Sequence, residues 1–365
     1  MTGDAAGAGP VPVRPDLVAL SGYHSPQVEV EVRLNTNESP LAPPAAWVEE
    51  VRQEIATLAF HRYPDRDARD LRRALGEFHG VGAERVFCAN GSNEVLQCLL
   101  LAYGGAGRSA ALFEPTYGLH RHIAALTATA VASGWRDAQY RLDPAVVEEV
   151  LARARPVITF LCSPNNPTGR AEPAETVAAV LARAPGLVVV DEAYGQYAPS
   201  SALDLARAGA PGSERLVVVR TFSKTWSMAA FRLGYLVAAP EVVEACAAVA
   251  LPYHLDAVKQ LAGRLALRHA PAMEARVAFV VEERGRLAAA LSDLAVESWP
   301  SDANFILFRP LHRRAEAVWR DLLERSVLVR DCSSWPGLDQ CLRVTVGTPE
   351  ENDRFLAALG AALSA

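Results

Sequence analysis

Between about residues 50 and 250 the chain alternates short apolar runs with helical patterns, and this alternation constrains its fold more than any other feature. The runs are Arg85–Ala89, Ala110–Phe113, Val157–Cys162, Leu187–Val190, Leu216–Val219 and Tyr235–Ala238. Each is a strand candidate, and the β-branched stretch Leu216–Val219 reads as fully buried. Helical stretches such as Glu94–Tyr103, Tyr117–Leu126 and Pro173–Ala184 lie between them. Strands alternating with helices predict an α/β architecture, a mainly parallel sheet sandwiched by helices. In such sheets a ligand sits beyond the carboxyl ends of the strands.

After Pro252 the pattern changes. A long helical region over Ala257–Leu291 precedes the run Ala303–Phe308, a helix over Ala315–Arg325, the runs Val327–Val329 and Cys341–Val346, and a final helix from Pro349. This predicts a smaller α+β C-terminal domain with a short, mostly antiparallel sheet. The expected division is an N-terminal arm over 1–48, a large domain over 49–252 and a small domain over 253–365.

A chain of 365 residues can bury a sizeable core. Its formal net charge of −6 and lack of any basic run argue against a nucleic-acid partner. No apolar stretch reaches the ~18 residues that span a bilayer, so no membrane partner is expected. The first ten residues, Ala/Gly-rich and acidic, lack a basic start and an apolar signal core, and read as a disordered lead-in. The six cysteines make no CxxC pair and read as thiols in a reducing cytosol. Of the histidines, His120 and His122 lie close together, but no cysteine or carboxylate sits at ligand spacing, so no metal is expected.

Five local signals follow strand candidates. Asn90-Gly91-Ser92-Asn93-Glu94 joins a strand to an apolar helix; glycine permits the turn, Ser92 or Asn93 can cap the helix, and the N–H groups there attract a phosphate. Read alone, it is equally a plain helix cap. In Glu114-Pro115-Thr116-Tyr117 the tyrosine can stack on a flat heteroaromatic ring, or simply pack. Ser163-Pro164-Asn165-Asn166-Pro167-Thr168-Gly169 is a rigid turn that places an asparagine amide at a strand end. In Val188-Val189-Val190-Asp191-Glu192-Ala193-Tyr194 a carboxylate leaves an apolar strand, costly unless it pairs with a cation or caps a turn. Last, Ser223-Lys224 is followed by Arg232. A lysine there could form a Schiff base with a carbonyl cofactor, with Ser223 and Arg232 on a phosphate. Together the five meet the needs of pyridoxal 5′-phosphate: an imine-forming lysine, an acid for the ring nitrogen, a donor on the phenolate side, a stacking ring and a phosphate cradle.

In these motifs the chain resembles the fold-type I pyridoxal-phosphate aminotransferases, and among them most the histidinol-phosphate aminotransferases. The likeness runs from about Arg33 to the C-terminus. It also rests on Arg33-Leu34-Asn35-Thr36-Asn37-Glu38, Arg62-Tyr63-Pro64-Asp65, Leu251-Pro252-Tyr253-His254 and Cys341 to Thr348. The resemblance implies transamination between L-histidinol phosphate and 2-oxoglutarate, giving imidazole acetol phosphate and L-glutamate, in a cytoplasmic enzyme of histidine biosynthesis. It implies that Lys224 binds the cofactor and shuttles a proton, and that Asp191 pairs with the ring nitrogen. Asn166 and Tyr194 hold the ring hydroxyl, and Tyr117 stacks. Ser92, Asn93, Ser223 and Arg232 hold the phosphate, and Tyr63 reaches the phosphate of the other subunit of a homodimer with shared active sites. Arg343 takes the acceptor's carboxylate and Arg330 the substrate phosphate, while Tyr23, Asn37 and Tyr253 line the substrate pocket. An aromatic amino-acid aminotransferase, and a pyridoxal-phosphate-dependent decarboxylase of a phosphorylated amino acid, share the same frame. A regulatory module derived from the fold would carry a DNA-binding extension, and none precedes residue 33 in a form that fits one. Departures from the pattern are Ser39, Gly195-Gln196-Tyr197 and the loop Ser333-Ser334-Trp335-Pro336.

Overall fold

The computed structural model describes residues 11, 14–18 and 26–365, so Tyr23 lies outside the described residues. In the first part of the chain, strand β1 (Val32–Leu34) precedes helices α1 (Ala45–Ile55) and α2 (Arg69–His79). Then come β2 (Val86–Ala89), α3 (Ser92–Tyr103), β3 (Ser109–Glu114), α4 (Gly118–Leu126), β4 (Ala130–Trp135), α5 (Pro144–Ala154) and β5 (Ile158–Cys162). The run continues through α6 (Ala174–Arg183), β6 (Leu187–Asp191), α7 (Leu203–Arg207), β7 (Leu216–Thr221), β8 (Gly234–Val237) and α8 (Pro240–Val249). The rest comprises α9 (Ala257–Ala266), α10 (Ala270–Ser292), β9 (Val296–Ser298), β10 (Phe305–Pro310), α11 (Ala315–Glu324), β11 (Val327–Asp331), β12 (Leu342–Thr345) and α12 (Pro349–Ser364).

Seven strands form the large sheet in the order β2-β8-β7-β6-β5-β3-β4. Pairing is parallel except along β8, which runs antiparallel to both β2 and β7. Strands β5, β6 and β7 are buried at every position because helices cover both faces, which is why they read as unbroken apolar runs. Two hydrophobic clusters, one on each face, divide alternate residues of these strands: Val188 and Val218 on one side, Val189 and Val219 on the other. The second sheet, β1-β11-β12-β10-β9, is antiparallel apart from the β1–β11 pair.

Two elements differ from the expectations. β4 has no counterpart among the expected strands; its sequence is small-residued and it lies at the sheet edge with most positions partly open to solvent, so it carries no apolar run. The long helical region splits into α9 and α10 at a 3-10 turn over Leu267–His269, followed by Pro271 in the first turn of α10. Proline lacks the amide that would continue a helix, but it fits a helix start.

The expected division at residues 252 and 253 does not coincide with the change in packing. Leu255, Leu261, Leu265 and Met273 share a core with Val86, Val218 and Tyr235 of the large sheet, and the second core begins at Val280 within α10. In the arm, Val32 and Leu34 join the small sheet's core, while Trp47 joins the large one. Segment 35–44 therefore crosses from one layer to the other, over the carboxyl ends of the central strands.

Candidate active site

The carboxyl ends of β5, β6 and β7 are Cys162, Asp191 and Thr221, and all three line one cavity of about 210 Å³. The arm contributes Asn35, Thr36 and Asn37, the start of α3 contributes Ser92 and Asn93, and the small sheet contributes Arg343. Tyr117, Asn166, Tyr194, Ser223, Lys224 and Arg232 complete its wall. The five strand-end signals thus converge on one place.

Lys224 is partly buried, and its Nζ donates to the Thr36 carbonyl at 3.0 Å. Its pKa is lowered to about 7, first by burial, then by the Arg343 guanidinium and to a lesser degree by Arg232; Glu38 opposes the shift. The cation that matters most after burial is therefore Arg343, from the small sheet, and not the nearby Arg232 that the sequence singles out.

Asp191 is buried to 1% exposure at the end of an apolar strand. Its Oδ1 accepts the Ala193 N–H at 3.1 Å, and its Oδ2 lies 3.0 Å from His120 Nε2. His120 is wholly buried and stacks on Phe160 at 4.7 Å between centroids. Sequence reasoning misses this histidine, because it weighs the residue only as a metal ligand. The signal that finds it is its spacing from Tyr117: the tyrosine stands at the residue before α4 and the histidine sits one turn on, so the two share a helix face. Their rings meet edge to face at 5.5 Å.

In the 163–169 turn the paired asparagines divide the work. Asn165 Nδ2 donates to Pro115 O at 2.9 Å and to Thr168 Oγ1 at 2.8 Å, which fixes the loop. Asn166 faces the cavity, and its Oδ1 accepts from Arg343 Nη1. Arg343 Nη2 also donates to Asn35 O at 2.9 Å, so this guanidinium joins the large sheet, the small sheet and the arm.

At the other end, Arg232 Nη1 donates to Ser223 Oγ at 3.2 Å, and Thr221 Oγ1 donates to the same Ser223 oxygen at 3.0 Å. Neither Ser92 nor Asn93 caps α3: its N-cap is Gly91, at φ 82°, and no side-chain oxygen caps the terminus. A Cβ on Gly91 would lie 2.8 Å from Arg232 Nη2, and one on Gly234 would lie 2.3 Å from the Ser92 amide nitrogen. Helix terminus, hydroxyls and guanidinium make an anion cradle that only glycine leaves open.

Three expected residues stand apart. Tyr63 is 80% exposed and stacks on Tyr253 with centroids 4.4 Å apart, and neither lines the cavity. Arg330 is buried, with its guanidinium carbon 5.5 Å from the Trp335 ring, and does not line the cavity either. It is nevertheless the register partner of Arg343, on the adjacent strand.

The class I and II aminotransferase family matches residues 29–359. The chain belongs to that family. Its curated relatives include the histidinol-phosphate aminotransferase of Frankia casuarinae, 46% identical over 97% of this chain and 91% of the relative. That of Rhodococcus jostii is 44% identical over 98% of this chain and 94% of its own. Among solved structures, the histidinol-phosphate aminotransferase of Sinorhizobium meliloti in complex with pyridoxal 5′-phosphate superposes with a TM-score of 0.88 at 22% identity, covering 96% of this chain and 97% of the other. A tetra mutant of the Thermus thermophilus aspartate aminotransferase has a TM-score of 0.80 at 21% identity, over 96% and 99% of the two chains. This aminotransferase is a pyridoxal-phosphate enzyme, and its cavity fits that group. Its wall holds a buried carboxylate, an anion cradle kept open by Gly91 and Gly234, and an amine with lowered pKa. Among the described residues no helix is long and apolar enough to cross a membrane.

Proposed function

We propose that the protein transfers the amino group of L-histidinol phosphate to 2-oxoglutarate, giving imidazole acetol phosphate and L-glutamate in histidine biosynthesis. The observation that carries the substrate class is the pairing of Arg330 with Arg343 on neighbouring strands, with Arg343 in the wall of the cavity that holds Lys224. Register partners project from one face of a sheet. Two guanidinium groups there suit a phosphate and a carboxylate, each of which they bind in bidentate geometry.

When bound, pyridoxal phosphate supplies a carbonyl that condenses with amines and a protonated ring that withdraws electrons from the α-carbon. Ser92, Asn93, Ser223 and Arg232 hold its phosphate, and Tyr117 stacks on its ring. Asp191, fixed by Ala193 N–H and His120, keeps a proton on the ring nitrogen, while Asn166 and Tyr194 face the ring hydroxyl. Lys224 Nζ, held neutral to a useful degree near pH 7, takes the proton released from the donor's α-carbon. Arg343 binds the acceptor's carboxylate and Arg330 the donor's phosphate.

The enzyme acts as a homodimer. The stacked Tyr63–Tyr253 pair, with exposed Phe60 and Leu251 near them in sequence, forms an apolar surface for a second copy, across which Tyr63 reaches the partner's phosphate cradle. All six cysteines are buried and free, which suits the reducing cytoplasm.

Purified protein should be yellow, and Lys224→Ala should lose the visible band. Protein that stays colourless with added pyridoxal phosphate rejects the cofactor assignment. Turnover of histidinol phosphate is then compared with phenylalanine and tyrosine, each with and without 2-oxoglutarate. Faster turnover of the aromatic amino acids rejects the donor, and carbon dioxide release without a keto acid rejects transamination.

A further inference from the structure

Asn37, expected as a substrate-pocket residue, has its side chain committed elsewhere. It is 1% exposed, lies in the left-handed region at φ 54°, where asparagine is favoured, and sits where the arm crosses the strand ends. Its backbone N–H donates to Thr345 Oγ1 at 3.0 Å, and Thr345 Oγ1 donates to Asn37 Oδ1 at 3.2 Å. Its carbonyl accepts from Asn304 Nδ2 at 3.2 Å. Its Nδ2 donates to the Tyr194 hydroxyl oxygen at 2.9 Å.

Proton counting orients this network. A hydroxyl carries one proton. Thr345 Oγ1 accepts the Asn37 N–H and gives its single proton to Asn37 Oδ1. The amide is thereby turned with Nδ2 towards Tyr194. The tyrosine oxygen, accepting on that side, has its O–H left to give on the cavity side.

We propose that Asn37 is a positioning residue that aims the Tyr194 hydroxyl proton into the cavity, making Tyr194 a committed donor to the ring hydroxyl oxygen of the cofactor. This rests on the proposed binding of pyridoxal phosphate in the cavity. Tyr194 keeps its proton: burial pushes its pKa well above the ordinary tyrosine value, against the opposing pull of Arg343 and of the Asn37 bond. The charged groups around it are Lys224, whose Nζ is 5.8 Å from the ring centroid, Arg343 and Asp191. Donation to the ring oxygen stabilises its negative charge. With its charge satisfied in this way, that oxygen would stabilise less well a proton on the lysine nitrogen joined to the cofactor, so the nitrogen's proton affinity would fall.

The test follows the visible absorbance of the holoenzyme against pH for wild type, Asn37→Gly, Tyr194→Phe and the double variant. Glycine accepts the positive φ, so the change removes the amide without straining the backbone. Asn37→Gly should raise the chromophore's transition by about one pH unit, and Tyr194→Phe by at least as much. The double variant should titrate with Tyr194→Phe. An unmoved transition in Asn37→Gly, or a shift of equal size in the Tyr194→Phe background, overturns the proposal. If Asn37→Gly fails to fold, Asn37→Ala is read against the same criterion. Wild-type protein without a chromophore overturns the cofactor reading instead, so the two failures are distinguishable.

Discussion

Asp191 and Glu192 are consecutive, both buried, and opposite in use. Glu192 is satisfied on every side: Arg220 Nε and Nη2 at 3.0 and 2.6 Å, Ser201 Oγ at 2.8 Å and the Ala202 N–H at 2.6 Å. Asp191 receives one backbone N–H and one imidazole, and its residue lines the cavity. Strand alternation sends the two side chains to opposite sides. A buried carboxylate with all its acceptor capacity filled ties structure together, while one with capacity facing a cavity is available to a ligand. Burial alone does not tell them apart.

Substitution can break that contrast. The largest effect is expected for Asp191→Asn, with kcat/KM for histidinol phosphate falling on the order of 10³-fold and thermal stability nearly kept; an equal loss of stability would erase the distinction. Glu192→Gln should do the reverse, costing about 3 kcal/mol by leaving the Arg220 cation uncompensated, with turnover per folded molecule unchanged. Denaturant unfolding and active-site titration measure the two quantities separately. His120→Phe keeps a ring against Phe160 but removes the bond to Asp191, and should reduce kcat about tenfold or somewhat more, as expected for a hydrogen bond to a charged group. An unchanged kcat would show that Asp191 needs no help from α4.

The smallest effect concerns Lys224. Its pKa is lowered to about 7, so the neutral amine gains population as pH rises through that value. Uptake of pyridoxal phosphate by apoprotein should therefore speed up about tenfold between pH 6 and 8 and then level off. The linked stability effect has a definite sign. Between about pH 7 and the ordinary lysine pKa of 10.5 the unfolded chain binds the extra proton, so this residue makes the apoprotein more stable as pH rises in that window. Lys224→Met should remove that contribution. A rate still climbing tenfold per unit at pH 9 would place the lysine at its ordinary value.

The large sheet is legible in the sequence because its signals are local. Val188 to Tyr194, Ser163 to Gly169 and the Lys224 loop each mark a strand end and its turn within a short stretch, since apolar periodicity and turn chemistry act between near neighbours in the chain. β4 escapes such a reading because an edge strand needs no apolar run. The domain division escapes it because α9, though it lies beyond the expected boundary, packs on the large sheet.

Local sequence sets the alternating architecture and the residue types at the strand ends, and through them the kind of cofactor such a chain can hold. Tertiary structure decided which groups act on one another. His120 meets Asp191 across 71 residues, Asn37 meets Tyr194 across 157, Arg343 meets Asn166 across 177, and Lys224 meets the Thr36 carbonyl across 188. No local pattern encodes such meetings. They arise because parallel strands bring distant chain segments to one edge, and because arm and small sheet close over it, where burial turns each contact into a change of charge or of proton position.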